Sequence, residues 1–398
     1  MEHKTRIKGN VHYVGVNDRN KHRFEGMWPL PYGVSYNSYL IDDEMVALVD
    51  TVDICYFEVY LRKIKQVIGE RPINYLIINH MEPDHSGSIR LIKQHYPEII
   101  IVGNKQTFGM IEGFYGVTGE QYLVKEGDFL ALGHHKLRFY MTPMVHWPET
   151  MMTFDETDGV LFSGDGFGCF GTVDGGFLDT RINVDKYWGE MVRYYSNIVG
   201  KYGSPVQKAL QKLGGLPISA ICSTHGPVWT ENIAKVIGIY DRLSRYDADE
   251  GVVIAYGSMY GNTEQMAEAI AEELSAQGVK NIVMHNVTKS HPSYIIADIF
   301  RYKGLIIGSP TYSNQIFPEV EALLSKILLR EVKGRYLGYF GSFTWAGAAV
   351  KRLVEFAEKS KFELVGDPVE MKQAMKDLTY TQCENLARAM ADRLKKDR

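Results

Sequence analysis

From residue 252 onward, strand-like and helix-like segments alternate without a break, and that rhythm leaves few folds open. "VVIAYGS" reads as a strand, "TEQMAEAIAEELSAQG" as a helix and "NIVMHNV" as a second strand. A helix near 292–302, the strand "GLIIGSP", a helix over 318–330, the strand "RYLGYFGS" and a helix over 346–360 complete the series. Strands that pair in parallel need a crossover between them, usually a helix, so the alternation predicts a doubly wound parallel sheet. In the first helix Met266, Ile270 and Leu274 share one face while Glu264, Glu268 and Glu272 lie elsewhere, the pattern of a helix laid on a core.

The chain has 398 residues, more than one ordinary core holds. The polar stretch "YDADEG" (246–251) precedes the new rhythm, which divides the chain into 1–248 and 249–398. The first half is α/β in another style. Strands are expected at 73–79, 98–103, 136–143, 159–164 and 219–224, and helices at 88–97, 185–202 and 231–247. Several of these strands run into, or close to, a His or an Asp, and rigid sheets present chemistry on loops in this way.

Composition narrows the function classes. A net charge of -4 and a pI near 6.3 give no basic field for nucleic acid or an anionic membrane. No run has the length of a membrane span, and "MEHKTRIKGNVHYVGV" lacks the apolar core of a signal peptide. Cys55, Cys169, Cys222 and Cys383 are scattered without a C-x-x-C, so no zinc ribbon, rubredoxin-type iron site or disulfide framework is indicated. A soluble cytoplasmic protein is the expectation.

Chemistry concentrates first in "INHMEPDHSG" (78–87), where a strand runs into His80, Glu82, Asp84 and His85. Asp84 or Ser86 as a cap of the helix starting near Ser88 is the plain reading. Clustered like charges, however, cost free energy unless a cation neutralises them. His146 in "TPMVHWPET", Asp165 in "FSGDGFG" and His225 in "CSTHGP" also follow, or nearly follow, strands. Each alone reads as a structural His or a turn-forming Asp. Taken together they give the order H-x-E-x-D-H … H … D … H. This order resembles the metallo-β-lactamase fold, with Glu82 where the hydrolases carry a second His, and implies an αββα first domain. Three imidazoles (His80, His146, His225) and three carboxylates (Glu82, Asp84, Asp165) suit iron better than zinc.

The second constellation opens the doubly wound half. "YGSMYGNTE" puts Ser258, Met259, Tyr260, Gly261, Asn262 and Thr263 between a strand and a helix N-terminus, where hydroxyls and backbone N–H groups suit a phosphate. An N-capped turn with Thr263 as the cap is the plainer reading. Pro310, Thr311, Tyr312, Ser313 and Asn314 in "GSPTYSNQIFP", and Ser342, Phe343, Thr344, Trp345, Ala346 and Gly347 in "GSFTWAGAAVK", follow later strands at the carboxyl edge, where a flavin ring would lie. Tyr312 and Trp345 are the aromatics for such a ring.

Both motif sets, in this order and over essentially the whole chain, resemble the flavodiiron proteins, also called A-type flavoproteins, in their minimal two-domain class. The resemblance implies a metallo-β-lactamase-like diiron domain followed by a flavodoxin-like FMN domain. One iron would be held by His80, Glu82 and His146, the other by Asp84 and His225, with Asp165 bridging. His85 would be turned away as a supporting residue or serve as a variable ligand. Tyr195 in "RYYSNI" resembles a supporting tyrosine of the family. The implied reaction reduces dioxygen to water, nitric oxide to nitrous oxide, or both. A diferrous pair and reduced FMN together hold the four electrons that dioxygen needs, and two nitric oxide molecules need two. Rubredoxin or a similar small electron donor, and a head-to-tail homodimer or a tetramer, are implied as partners. The alternative is a binuclear metal hydrolase with an accessory flavodoxin-like domain; a further one is a plain FMN electron carrier.

Overall fold

The computed structural model describes residues 5–397, so the first four residues of the N-terminal stretch lie outside it. Two compact units are present: Met1–Tyr195 with Tyr202–Ser244, and Ser196–Lys201 with Arg245–Arg398. A short excursion of the chain at 196–201 therefore belongs to the second unit, which local sequence does not announce.

The first unit is built on two sheets. One has seven strands in the order Arg6–Lys8, Val11–Tyr13, Tyr39–Ile41, Ala47–Val49, Tyr75–Ile77, Ile100–Gly103 and Gln121–Leu123. The other has five, in chain order: Phe129–Ala131, Lys136–Met141, Met151–Asp155, Val160–Gly164 and Ala220–Ser223. Ile41, Val49, Ile77 and Val102 of the first sheet share one buried cluster with Phe139, Met151, Phe162 and Cys222 of the second. Inward alternation on both sheets thus makes the core, as it does in any two-sheet stack. Helices such as Phe57–Ile68 and Ile233–Ser244 bury one face each, through Tyr60, Leu61 and Ile64 and through Val236, Tyr240 and Leu243.

Asn79 links the two sheets. Its N–H and Nδ2 donate to the Asp50 carboxylate (2.8 and 3.1 Å), its carbonyl accepts from Met151 N–H (3.0 Å), and Thr153 Oγ1 donates to its Oδ1 (2.8 Å). The residue preceding His80 is therefore held from both sheets.

The second unit is a seven-stranded sheet along the path Ile282–Asn286, Asp249–Tyr256, Tyr302–Tyr312, Tyr336–Phe343 and Glu363–Leu364, with Gln315–Ile316 and Val369–Lys372 off that path. The pairings along this path are parallel, as the alternation required. Met266, Ile270 and Leu274 are fully buried in its core beside Leu386 and Met390 of the helix Asp377–Lys395. Three local expectations shift. The first strand begins at Asp249, inside the polar junction, because Asp249 pairs with Tyr302. The helix expected over 185–202 runs regularly only over Asp185–Tyr194, then widens into a π turn at Tyr195–Val199. Thr263 does not cap its helix: Gly261 holds the N-cap at φ 90°, and Thr263 is hydrogen-bonded to Ser342 instead (2.8 Å). Among the described residues no helix is long and apolar enough to cross a membrane.

Candidate metal centre and flavin cavity

Three strand ends and one loop converge on a single buried point of the first unit. His80, Glu82, Asp84 and His85 follow Tyr75–Ile77; Asp165 follows Val160–Gly164; and His225 follows Ala220–Ser223, which pairs in parallel with Val160–Gly164. Parallel pairing sends Asp165 and His225 out at the same edge. His146 comes from the loop between Lys136–Met141 and Met151–Asp155.

The ligand atoms sort into two groups. His146 Nε2 lies 3.1 Å from Glu82 Oε2, 3.0 Å from Asp165 Oδ2 and 3.4 Å from His80 Nε2. His80 Nε2 lies 3.6 Å from Asp165 Oδ2 and 3.8 Å from Glu82 Oε2. Four donors each about 2.1 Å from one cation would stand about 3.0–3.4 Å apart, from right-angled to tetrahedral geometry; the three spacings from His146 match such a shell, and the two from His80 to the carboxylates are slightly wider. In the second group His225 Nε2 is 3.4 Å from Asp84 Oδ2 and 3.5 Å from Asp165 Oδ1, and His85 Nε2 is 3.3 Å from Asp165 Oδ1. Asp165 thus presents one oxygen to each group.

Hydrogen bonding separates this arrangement from an ordinary ion-pair network. Both oxygens of Asp84, both ring nitrogens of His85 and Nε2 of His225 are buried without a hydrogen-bond partner. Orphaned buried polar atoms are costly, and here they aim at common points rather than at one another. A pair of cations resolves both problems, so the residues fit a binuclear metal centre. The capping reading fails on the same fact: Asp84 lies within the short helix Pro83–Ser86 and caps nothing, and the helix Ile89–His95 has no side-chain cap.

Outer partners orient the ligands. His80 Nδ1 is hydrogen-bonded to Glu149 Oε1 (2.6 Å), which also accepts from Met81 N–H (2.9 Å), and His225 Nδ1 to the Ser35 carbonyl (2.8 Å). Such contacts fix which ring nitrogen faces the metal. Without a cation the cluster holds protons. Burial works against charge on His85, but Asp84 and Asp165 outweigh it and raise its pKa to about 10. Burial likewise opposes ionisation of Asp165, yet His85 and His146 bring its carboxyl well below the usual range.

One expectation is narrowed and one corrected. Of the two readings open for His85, a supporting residue or a variable ligand, the geometry favours the ligand: one of its ring nitrogens lies within 4.8 Å of the ligand atoms of both His80–Glu82–Asp165 and Asp84–His225. Tyr195 packs on Tyr240, and it is Tyr194 whose ring meets His225, at 5.8 Å between centroids. The buried Tyr194 hydroxyl has no hydrogen-bond partner; burial first, and the charge of Asp165 second, raise its pKa. One helical position separates the two tyrosines, and a sequence without the turn's phase cannot choose between them. Glu149 carried no signal beyond being a carboxylate three residues after His146.

The metal group opens on a cavity of about 530 Å³ lined by Glu82, Asp84, Lys21, Glu25, Arg90 and Phe114 among others.

The second unit carries a cavity of about 370 Å³ at the carboxyl edge of its sheet. Ser258, Met259, Tyr260, Asn262, Thr263, Pro310, Thr311, Tyr312, Ser313, Asn314, Ser342, Phe343, Thr344, Trp345 and Ala346 line it, as anticipated, with Gln373 in addition. Gly261 and Gly347 do not line it. Gly261 supplies the left-handed N-cap, and a Cβ at Gly347 would meet Glu370 at 2.5 Å. The helix starting at Asn262 has no side-chain cap, which leaves its N-terminal N–H groups for an anion. Tyr260 and Trp345 are 91% and 82% exposed beside hydroxyl-rich walls. A flat, amphipathic ligand with a phosphate tail fits this lining, as FMN does.

Residues 34–226 match the ODP family beta lactamase and residues 254–385 match flavodoxin. The chain is 33% identical over 353 residues to an anaerobic nitric oxide reductase flavorubredoxin of Vibrio vulnificus, covering 87% of this chain and 71% of that protein. It is 31% identical to the protein of the same name from Escherichia coli, over 90% of this chain and 76% of that one. Among solved structures, rubredoxin oxygen:oxidoreductase from Desulfovibrio gigas superposes with a TM-score of 0.95 at 31% identity, covering 98% of both chains. The flavodiiron protein from Giardia intestinalis gives 0.91 at 26% identity, over 98% and 97%.

Proposed function

This chain belongs to the flavodiiron proteins, and from that premise we propose that it is an oxidoreductase reducing dioxygen to water, nitric oxide to nitrous oxide, or both. The single observation that carries the reading is Asp165 with one oxygen in each of two ligand groups, in a chain that also holds a flavin cavity. In our reading residues 1–248 serve the metal chemistry and residues 249–398 the flavin.

His80, Glu82 and His146 would hold one iron and Asp84, His85 and His225 the other, with an oxygen of Asp165 available to each. The loop Ser258–Thr263 takes the FMN phosphate, and Tyr312 and Trp345 take the ring. When bound, the iron pair supplies gas binding and redox chemistry and FMN stores electrons for it. The chain's own contribution is positional. Glu149 keeps His80 Nδ1 engaged, so Nε2 stays presented. The buried Tyr194 hydroxyl, open to a new partner, is available to hydrogen-bond a substrate oxygen. Exposed apolar side chains rim both cavities, Ile54 and Phe114 at the metal cavity and Met259, Tyr260, Tyr312 and Trp345 at the flavin cavity. Clustered exposed apolar side chains mark interaction surfaces. They support a head-to-tail homodimer and docking of a small electron donor such as rubredoxin.

The decisive experiment reduces the purified protein anaerobically and mixes it separately with each gas while flavin reoxidation and product are recorded. Iron, FMN and reoxidation by at least one gas are expected. A colourless protein carrying zinc and hydrolysing a test ester or lactam would overturn the reading in favour of the hydrolase.

A further inference from the structure

Several titratable groups in the metal cavity are neither ligands nor hydrogen-bond partners of ligands, and Glu25 is one of them. Glu25 lines that cavity together with Glu82 and Asp84. It sits at the tip of a tight hairpin in which Arg23 and Phe24 pair with Pro29 and Trp28. The strand leading into the tip is fixed against the metal group, because the Phe24 ring packs edge-on against His225 at 5.3 Å. At the tip Glu25 takes φ 49° and Gly26 φ 69°. A left-handed backbone costs a non-glycine residue roughly 1 kcal/mol or more, which favours Gly or Asn at such a tip unless the side chain has a use.

A hairpin staple is the plain use, since Trp28 Nε1 donates to Glu25 Oε2 at 2.9 Å. That contact occupies one oxygen. Oε1 accepts from no described residue and no cation pairs with the carboxyl, although Glu25 is exposed to solvent on its other side. It therefore touches both bulk water and the cavity.

The reaction consumes protons: four for each dioxygen, two for each pair of nitric oxide molecules. The other groups facing the cavity are unsuited to supply them. Glu82 and Asp84 are ligands. Lys21 is paired with Asp53 at 3.2 Å, and Asp53 also accepts from Cys55 N–H. Arg90 carries a guanidinium, which offers hydrogen bonds rather than an acid. The Tyr115 hydroxyl is tied to Ser86 at 2.6 Å. His22 and Arg23 on the same hairpin are exposed and do not line the cavity.

We infer that Glu25 is the acid that passes solvent protons to the gas being reduced, an inference that rests on the function proposed above. In each transfer the Glu25 O–H bond breaks as an O–H bond forms on an oxygen of the gas. The electrons, four for dioxygen and two for a pair of nitric oxide molecules, would come from the reduced metal pair and the reduced flavin together, and the carboxylate regains its proton from water at the exposed rim.

The test compares E25Q, E25D and E25A with the parent, all loaded with iron and FMN. E25Q is expected to keep its metal and flavin, to turn over roughly 100-fold more slowly at unchanged KM, and to lose the fall in rate that the parent shows as pH rises through the carboxyl pKa. E25D should recover part of the rate, and added formate should rescue E25A. A readout independent of turnover is the acid-minus-alkaline infrared spectrum of zinc-loaded protein, where a protonated-carboxyl band present in the parent should vanish in E25Q. E25Q that turns over like the parent, E25Q that loses its metal, or an unchanged infrared band would overturn the assignment. A parent that reduces neither gas would instead sink the function while the infrared band still reported on Glu25.

Discussion

The two cavities solve binding in opposite ways. The metal centre is made of buried, ionisable side chains, among them Asp84, His85 and His225 with orphaned atoms, supported by Glu149 and Ser35 from outside. The flavin cavity is made of hydroxyls, backbone and exposed aromatics, and among its lining residues none is charged. A bare cation brings no surface of its own, so the protein must supply charge and exact direction. A flavin brings area and acceptors, so neutral contacts spread over three loops suffice. The metal site should therefore fail abruptly and the flavin site gradually.

Asp165→Asn tests the abrupt side and carries the largest expected effect. Loss of the shared carboxylate should drop metal content from about two ions per chain to one or none and cut gas reduction more than about 100-fold, because even outer-shell changes cost 10–100-fold. Metal analysis beside stopped-flow turnover measures both, and an intact pair of ions in the variant would break the comparison. Trp345→Ala tests the gradual side. FMN should bind about threefold to tenfold more weakly, equivalent to about 0.5–1.5 kcal/mol, by fluorescence titration of the flavin-free protein, with metal content unchanged.

The smallest effect on either site comes from a cluster that looks like a ligand set and is not one in our reading. His135, Asp155 and Asp158 lie within ligand distance of one another, but His135 Nδ1 is already bonded to Asp155 at 2.9 Å and no atom of the three is orphaned. Burial opposes charge on His135, and Asp155 and Asp158 outweigh it, so its folded pKa is raised. The linkage sign follows: the pair's stabilisation is complete below the unfolded pKa of about 6.5 and is lost as pH rises through the folded value. His135→Gln should cost roughly 1.5–3 kcal/mol in urea unfolding at low pH and progressively less in alkali. It should leave metal content untouched; loss of iron would blur the distinction between partnered and orphaned clusters.

Much of this was legible without coordinates where the signal was local. Helix 318–330 was read at the bounds it has, and the face of Met266, Ile270 and Leu274 is the buried one. The lining of the flavin cavity could be anticipated because its three loops follow strands whose apolar runs are plain. The bounds of the short N-terminal strands were not legible, since three-residue strands such as Tyr39–Ile41 are defined by their partners rather than by their own pattern.

The order of residue types determined the rest by itself: β–α alternation demands crossovers, and a row of carboxylates and imidazoles at strand ends demands a cation. Direction was left to the tertiary structure. Whether His85 turns inward, whether Tyr194 or Tyr195 meets His225, that Glu149 supports His80 from 69 positions away and that Glu25 overhangs the cavity all depend on side chains meeting across two stacked sheets. Local pattern fixes which element a residue occupies, but the orientation of its side chain is set by neighbours distant in the chain, and those exist only once the core has closed.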